Sequence, residues 1–176
     1  MRHIIFLLFL YLPLLSFSQI DKIIFDSKIN FEIKNAGLLV KGNLGELKGF
    51  IRFDPSNFKG SKIRVFVQAK SINTGIESRD KHLKKKEYFD VESFPEIVIE
   101  SKFFGSSEKG YKGYFLLTMK GISKDIVIPF SYTDKGTFIE MNGEFNLNRL
   151  DYGIGEKSFI MADNVKVIIK LKLKEK

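Results

Sequence analysis

Only one histidine, His82, lies in the body of this chain; the other, His3, sits at its start, and cysteine is absent. That inventory excludes a histidine cluster for a metal, a thiolate metal site, a cysteine nucleophile and disulfides. A serine-histidine-carboxylate relay has to be built around His82, yet the chain has no Gly-x-Ser-x-Gly elbow and no glycine-rich phosphate loop. Carboxylates are what remains: Asp80, Asp90 and Glu92 fall within one stretch, and two facing carboxyls suffice for general acid and base work on a glycosidic bond. Carboxylates this close along one surface segment are more often caps and solvated groups. Two further pairs, Arg79 with Asp80 and Arg149 with Asp151, read either as ion pairs that hold local structure or as receivers of a ligand headgroup. We favour the structural reading for both, and expect no metal, no cofactor and no enzyme activity.

These residues sit among turn and packing signals. Ser71-Ile72-Asn73-Thr74-Gly75 ends an apolar run with side chains that bond nearby backbone and a glycine free to take positive φ. A short helix is predicted next. Ser78 is its expected N-cap, Asp80 falls in the first turn where a carboxylate suits the helix dipole, and His82 lies within it. Leu83 with Tyr88 or Phe89 is expected to anchor the segment on a core, and Pro95 ends it.

Elsewhere alternation with period 2 recurs along the chain. Val165, Val167, Ile169, Leu171 and Leu173 share one face, opposite Lys166, Ile168, Lys170, Lys172 and Lys174. The same alternation aligns Ile29, Phe31 and Ile33; Ile63, Val65, Val67 and Ala69; and Ile97, Ile99 and Phe103. It continues in Phe115, Leu117 and Met119, in Ile126, Ile128 and Phe130, and in Ile139, Met141, Phe145 and Leu147. Breaks are predicted at Asp54-Pro55-Ser56-Asn57, Gly105-Ser106-Ser107, Gly121, Asp134-Lys135-Gly136 and Gly153-Ile154-Gly155. Pro129 suits an edge or bulge, and Gly42, Gly45 and Gly49 let a long strand bend. Half-buried strands with one short helix suit an all-β antiparallel sandwich or a closed barrel, and the pattern alone does not choose.

Residues 1–18 read as a secretory signal peptide. Arg2 and His3 precede an apolar run from Ile4 to Leu15, followed by Ser16 and Ser18, so cleavage is expected before Gln19. The run falls short of the roughly 20 residues a membrane span needs. An uncleaved anchor is the alternative. Residues 19–176 then form one soluble, secreted or periplasmic domain, since no linker or repeat divides them. The formal net charge is +8, less one when Arg2 leaves with the leader. Its lysines are spread along alternating strands, so a solvated face is expected, with transient contact to an anionic membrane surface and dimerisation left open. Nucleic acid is not an expected partner.

The order and spacing of these signals resemble the YceI-like family of secreted lipid-binding proteins. The matching residues are Ser71, Thr74 and Gly75, then Arg79, Asp80, His82 and Leu83, then Phe89, Asp90 and Val91, then Phe94 and Pro95. Outside this block the resemblance extends to Gly42, Gly49, Ile51, Phe53 and Asp54, to Leu117-Thr118 with Gly121 and Lys124, and to Asn148-Arg149-Leu150-Asp151-Tyr152-Gly153. The chain departs from many relatives in carrying Asn35 for a histidine and Ser123 for a threonine, and the first bears on a polar contact near a pocket opening. The resemblance implies an antiparallel eight-stranded lipocalin-like β-barrel with one short helical segment near one end. It also implies an internal tunnel for a polyisoprenoid, an isoprenoid quinone or a fatty acyl lipid. On that reading the ligand touches Phe31 and Ile33 on the first strand, Ile51 and Phe53, then Ile63, Val65 and Val67, then Ile97 and Ile99. Across the barrel it meets Phe115 and Leu117, Ile128 and Phe130, Met141 and Phe145, and Val167 and Ile169. The competing reading is an interaction module whose barrel is packed dry by its own phenylalanines, Phe31, Phe53, Phe103, Phe115, Phe130 and Phe145, and which docks on an envelope partner.

Overall fold

The computed structural model describes residues 21–175; the leader assigned to residues 1–18 lies outside them. Among the described residues nine strands follow one another as β1 (Lys22–Asn35), β2 (Leu38–Leu44), β3 (Lys48–Arg52), β4 (Lys62–Gln68), β5 (Glu96–Ser107), β6 (Gly110–Met119), β7 (Ile122–Asp134), β8 (Ile139–Asn148) and β9 (Asn164–Glu175), with one α-helix, α1 (Glu77–Leu83), between β4 and β5. Every pairing is antiparallel, and β9 returns to β1 to close the sheet.

The barrel has eight staves because β2 and β3 are two pieces of one. β2 pairs with β1 from Ile29↔Leu44 outward, β3 pairs with it at Lys22↔Ile51, and both keep the same register. The interruption at Gly45–Leu47 leaves backbone donors that two serines satisfy: the Gly45 N–H donates to Ser71 Oγ and the Leu47 N–H to Ser27 Oγ. Gly49 is where the bend requires glycine: its φ is +124°, and a Cβ there would sit 2.2 Å from the Arg64 carbonyl oxygen. Closure removes the exposed edges an open sheet would carry.

Two expectations about β5 are corrected. Its register shifts between Ser101 and Phe103, so the strand bulges and alternation reverses. Phe103 therefore points outward, 56% exposed and stacked on Tyr114, while its neighbour Phe104 enters the core. The break predicted at Gly105-Ser106-Ser107 is instead paired strand, and the turn follows at Glu108-Lys109. Pro129 pairs with Lys112 on β6, and the ladder from β7 to β8 stops at Phe130↔Gly143, so its missing N–H forfeits no bond on that side.

The two ends differ. At one end the loop after β3 and the β5–β6 and β7–β8 turns surround a plug of rings in which Phe53 lies 5.0–5.2 Å from Phe104, Tyr111, Phe130 and Tyr132. Burial, then the carboxylates of Asp134, Asp54 and Glu175 and the neighbouring Tyr111, push the Tyr132 hydroxyl up to about 12. At the other end lie the β1–β2 turn, the segment carrying α1, the β6–β7 turn and residues 149–163.

Candidate functional site

Below α1 the barrel encloses a cavity of about 170 Å³, and a smaller chamber of about 50 Å³ adjoins it on the side of the plug. Leu47, Val65, Ile99 and Ile169 line both. The main chamber exceeds the roughly 150 Å³ at which an apolar cavity stays dry and takes up a benzene-sized guest. Its walls are apolar apart from Asn35, Thr74, Arg79, Tyr88 and Arg149.

Those polar groups are largely consumed by the fold. Arg79 Nε donates to Thr74 Oγ1 and its terminal nitrogen to the Thr74 carbonyl, while the Thr74 N–H and hydroxyl both donate to Asp80 Oδ1. Arg79 and Asp80 are thus joined through hydrogen bonds to Thr74, which lies between them and ties the start of the helical segment to the preceding turn. The same arrangement corrects the cap: Ile76 precedes α1 with no side-chain cap, Ser78 lies inside the helix, and the Asp80 carboxylate reaches back to the chain before it.

Arg149 is 3% exposed. Its Nε donates to the Ala162 carbonyl, one terminal nitrogen to the Ile154 carbonyl and the other to the Glu156 carbonyl and to Asp163 Oδ1 at 3.1 Å. Its ionic partner is thus Asp163, and Asp151, expected in that role, is exposed. The reason is the turn Arg149–Tyr152, which closes on Gly153 in the left-handed region and directs residue 149 inward and 151 to water. Tyr152, on the same turn, buries a hydroxyl with no partner, and burial followed by the Asp151 charge pushes it up to about 12.

Asn35 completes the inward alternation of β1 at the rim of the chamber; its Oδ1 is buried without a partner. The enzymatic candidates are placed elsewhere. His82 is exposed, with its ring against Tyr88 at 4.9 Å. Asp90 and Glu92 sit in the turns after α1, and no carboxylate lines either chamber.

Of the interior set, Phe31, Ile33, Val67, Ile97, Leu117, Phe145 and Val167 line the main chamber, and Ile51, Ile63, Phe115, Ile128, Phe130 and Met141 the smaller one. Val65, Ile99 and Ile169 face both, and Phe53 lies in the plug outside them. Sequence reasoning did not place Val40 and Leu44 there. Gly42 between them has no side chain to carry the alternation, and Leu38-Leu39 before them breaks it. Nor did it place Ile154 and Met161, which sit in irregular chain where no periodicity operates.

An antiparallel barrel plugged by aromatic rings at one end, with an apolar chamber under a helical cap at the other, defines a lipocalin-like architecture. Within it, this chain belongs to the family of the YceI-like domain, which matches residues 20–173. A UPF0312 protein of Yersinia enterocolitica is 30% identical over 119 residues, a match that covers 67% of this chain and 62% of that protein. The match thus spans less than two thirds of that relative's length. The crystal structure of Burkholderia cenocepacia BcnA is similar with a TM-score of 0.78 at 19% identity, covering 83% of this chain and 95% of that one. A polyisoprenoid binding domain from Saccharophagus degradans is similar with a TM-score of 0.66 at 14% identity, covering 90% and 99%.

Proposed function

We propose that this protein sequesters or carries a long apolar chain, a polyisoprenoid, an isoprenoid quinone or a fatty acyl lipid, in the barrel, and performs no chemical step on it. The observation that carries the reading is the main chamber, an apolar space in which Arg79, Thr74 and Arg149 are bonded within the protein and Asn35 Oδ1 is left without a partner. Left empty, a cavity of 170 Å³ costs the fold about 4 kcal/mol at roughly 24 cal/mol per Å³. A guest that fills it recovers contacts with the walls and gains about 0.8 kcal/mol per buried methylene, so a few isoprene units suffice for tight binding. Two features add support: the smaller chamber gives a chain somewhere to extend, and the similar Saccharophagus domain is a polyisoprenoid binding domain. Export by the leader would place such a carrier in the periplasm or outside the cell, where an apolar chain needs a container to cross water.

The test is native mass spectrometry with organic extraction on protein purified from its own envelope fraction. A stoichiometric isoprenoid or acyl chain supports the carrier and names its ligand class. A mass that stays that of the bare protein, even after incubation with polyprenyl lipids and quinones, refutes it.

A further inference from the structure

We infer that the helical end of the barrel docks on the surface of an anionic phospholipid bilayer. Leu38 and Leu39 on the β1–β2 hairpin and Phe159 and Ile160 on the loop before β9 are all exposed. One ladder joins them: the Ala36 N–H donates to the Ile160 carbonyl at 2.6 Å, and Asn35 bridges to Met161. The four residues therefore form one apolar tip of the barrel, with Leu38 and Leu39 on opposite faces of the hairpin. Asn35, Val40 and Met161, among these residues and half-exposed, also line the main chamber, so the tip borders its mouth. Exposed apolar side chains grouped at a mouth mark an interaction surface.

Charge selects the partner. Lys34, Lys157, Lys85 and Lys86 are exposed around the tip, and among the described residues none of them is in an ion pair. The Gly155 N–H donates to the Glu87 carbonyl at 2.8 Å, which ties the lysine run 84–86 to the loop that bears Phe159. Glu87 and Glu156 are interleaved with these lysines, so the attraction is moderate and the apolar side chains supply the hold. A second copy of the chain fits poorly, because the exposed lysines of this end outnumber Glu87 and Glu156 and an isologous contact is repulsive on balance. A bilayer offers anionic headgroups to the lysines and hydrocarbon to the tip. This inference rests on the carrier reading in one respect: an apolar chain entering the chamber resides in a membrane.

The chain has no tryptophan, so Phe159→Trp places a single reporter at the tip. On phosphatidylcholine vesicles containing phosphatidylglycerol its emission should shift to the blue and be quenched by brominated acyl chains. Raised salt, or phosphatidylcholine alone, should weaken binding several-fold. Leu38→Ser, Leu39→Ser and Ile160→Ser together, in the same background, should reduce vesicle binding at least tenfold with an unchanged circular dichroism spectrum. Emission that stays that of water-exposed tryptophan on phosphatidylglycerol vesicles overturns the inference. So does a blue shift that grows with protein concentration in the absence of vesicles, which assigns the tip to a second copy. The vesicles contain no isoprenoid, so docking and cargo are read separately. Docking without uptake of polyprenol by native mass spectrometry sinks the carrier reading alone, and uptake from detergent without docking sinks this one alone.

Discussion

Replacing Arg149 by Met keeps most of the side chain's bulk and removes its donors, which isolates what the guanidinium does. Its four hydrogen bonds run to three carbonyls and the Asp163 carboxylate, all on residues 154–163 of the loop that closes the helical end. A hydrogen bond to a charged group contributes about 1.5–3 kcal/mol, and a buried acceptor left without a donor costs about 1–3 kcal/mol. The Glu156 carbonyl is on an exposed residue and can be hydrated, whereas Ile154 is buried and Ala162 half-buried. Two stranded carbonyls and a lost partner for Asp163 give a cost of about 3–5 kcal/mol, the range seen when one member of a buried pair is removed. That is a large fraction of the roughly 5–15 kcal/mol that holds a typical domain. Urea denaturation measures the total, and hydrogen exchange at the Gly155 and Ala162 amides, bonded to Glu87 and Lys34, shows whether the loop opens first. Arg149→Lys should recover little, because an ammonium cannot present the planar fork these acceptors require. A loss below about 1 kcal/mol refutes the reasoning. If binding of charged-headgroup lipids alone is lost, Arg149 is a ligand receiver and not the clasp of the loop.

Three further outcomes are expected. Phe104→Ala should cost about 3–5 kcal/mol and Phe103→Ala less than 1, by thermal or urea unfolding, because the β5 bulge buries the first and exposes the second. Gly42→Ala places a Cβ 2.2 Å from Cζ of Phe31, whose ring must swing into the chamber; ligand retention by native mass spectrometry should fall at least tenfold while the barrel still folds. Tyr152→Phe should leave stability at neutral pH unchanged or slightly raised, since the lost hydroxyl has no partner. It should also flatten the alkaline limb of the stability curve. Both Tyr132 and Tyr152 titrate near 12 when folded against about 10 unfolded, so below pH 10 neither contributes pH dependence. Between 10 and 12 the unfolded chain ionises first and stability falls, and the variant lacks one of the two groups.

The strands and their inward faces were legible because a sheet with one wet and one dry face writes its geometry into every second residue; closure into a barrel was implied only by the family resemblance. The inward faces of β4, β6, β7, β8 and β9 match the alternation that Val65, Leu117, Ile128, Met141 and Ile169 display. Legibility failed where that period is interrupted. The bulge at Lys102 moved Phe103 out of the core, because an extra residue in one strand leaves no trace in composition. Asp163 replaced Asp151 beside Arg149 for a similar reason: the pairing depends on a loop folding back, and sequence proximity carries no information about it. Asn35 was readable as a rim residue only through the family resemblance, and its buried, unpartnered oxygen only in three dimensions.

The chain by itself determined that the protein is all-β with one helical segment, that its interior is apolar, and that metal-histidine and cysteine chemistry lack the residues they need. Those properties follow from residue type and short-range period, which act before any distant contact forms. The tertiary structure decided that β2 and β3 merge into one stave, that aromatic rings plug one end and a chamber opens at the other, and that Arg149 and Thr74 spend the site's polarity internally. Such features depend on which residues meet across the closed barrel, and whether side chains fill its interior or leave room for a guest is a matter of volume that only packing resolves.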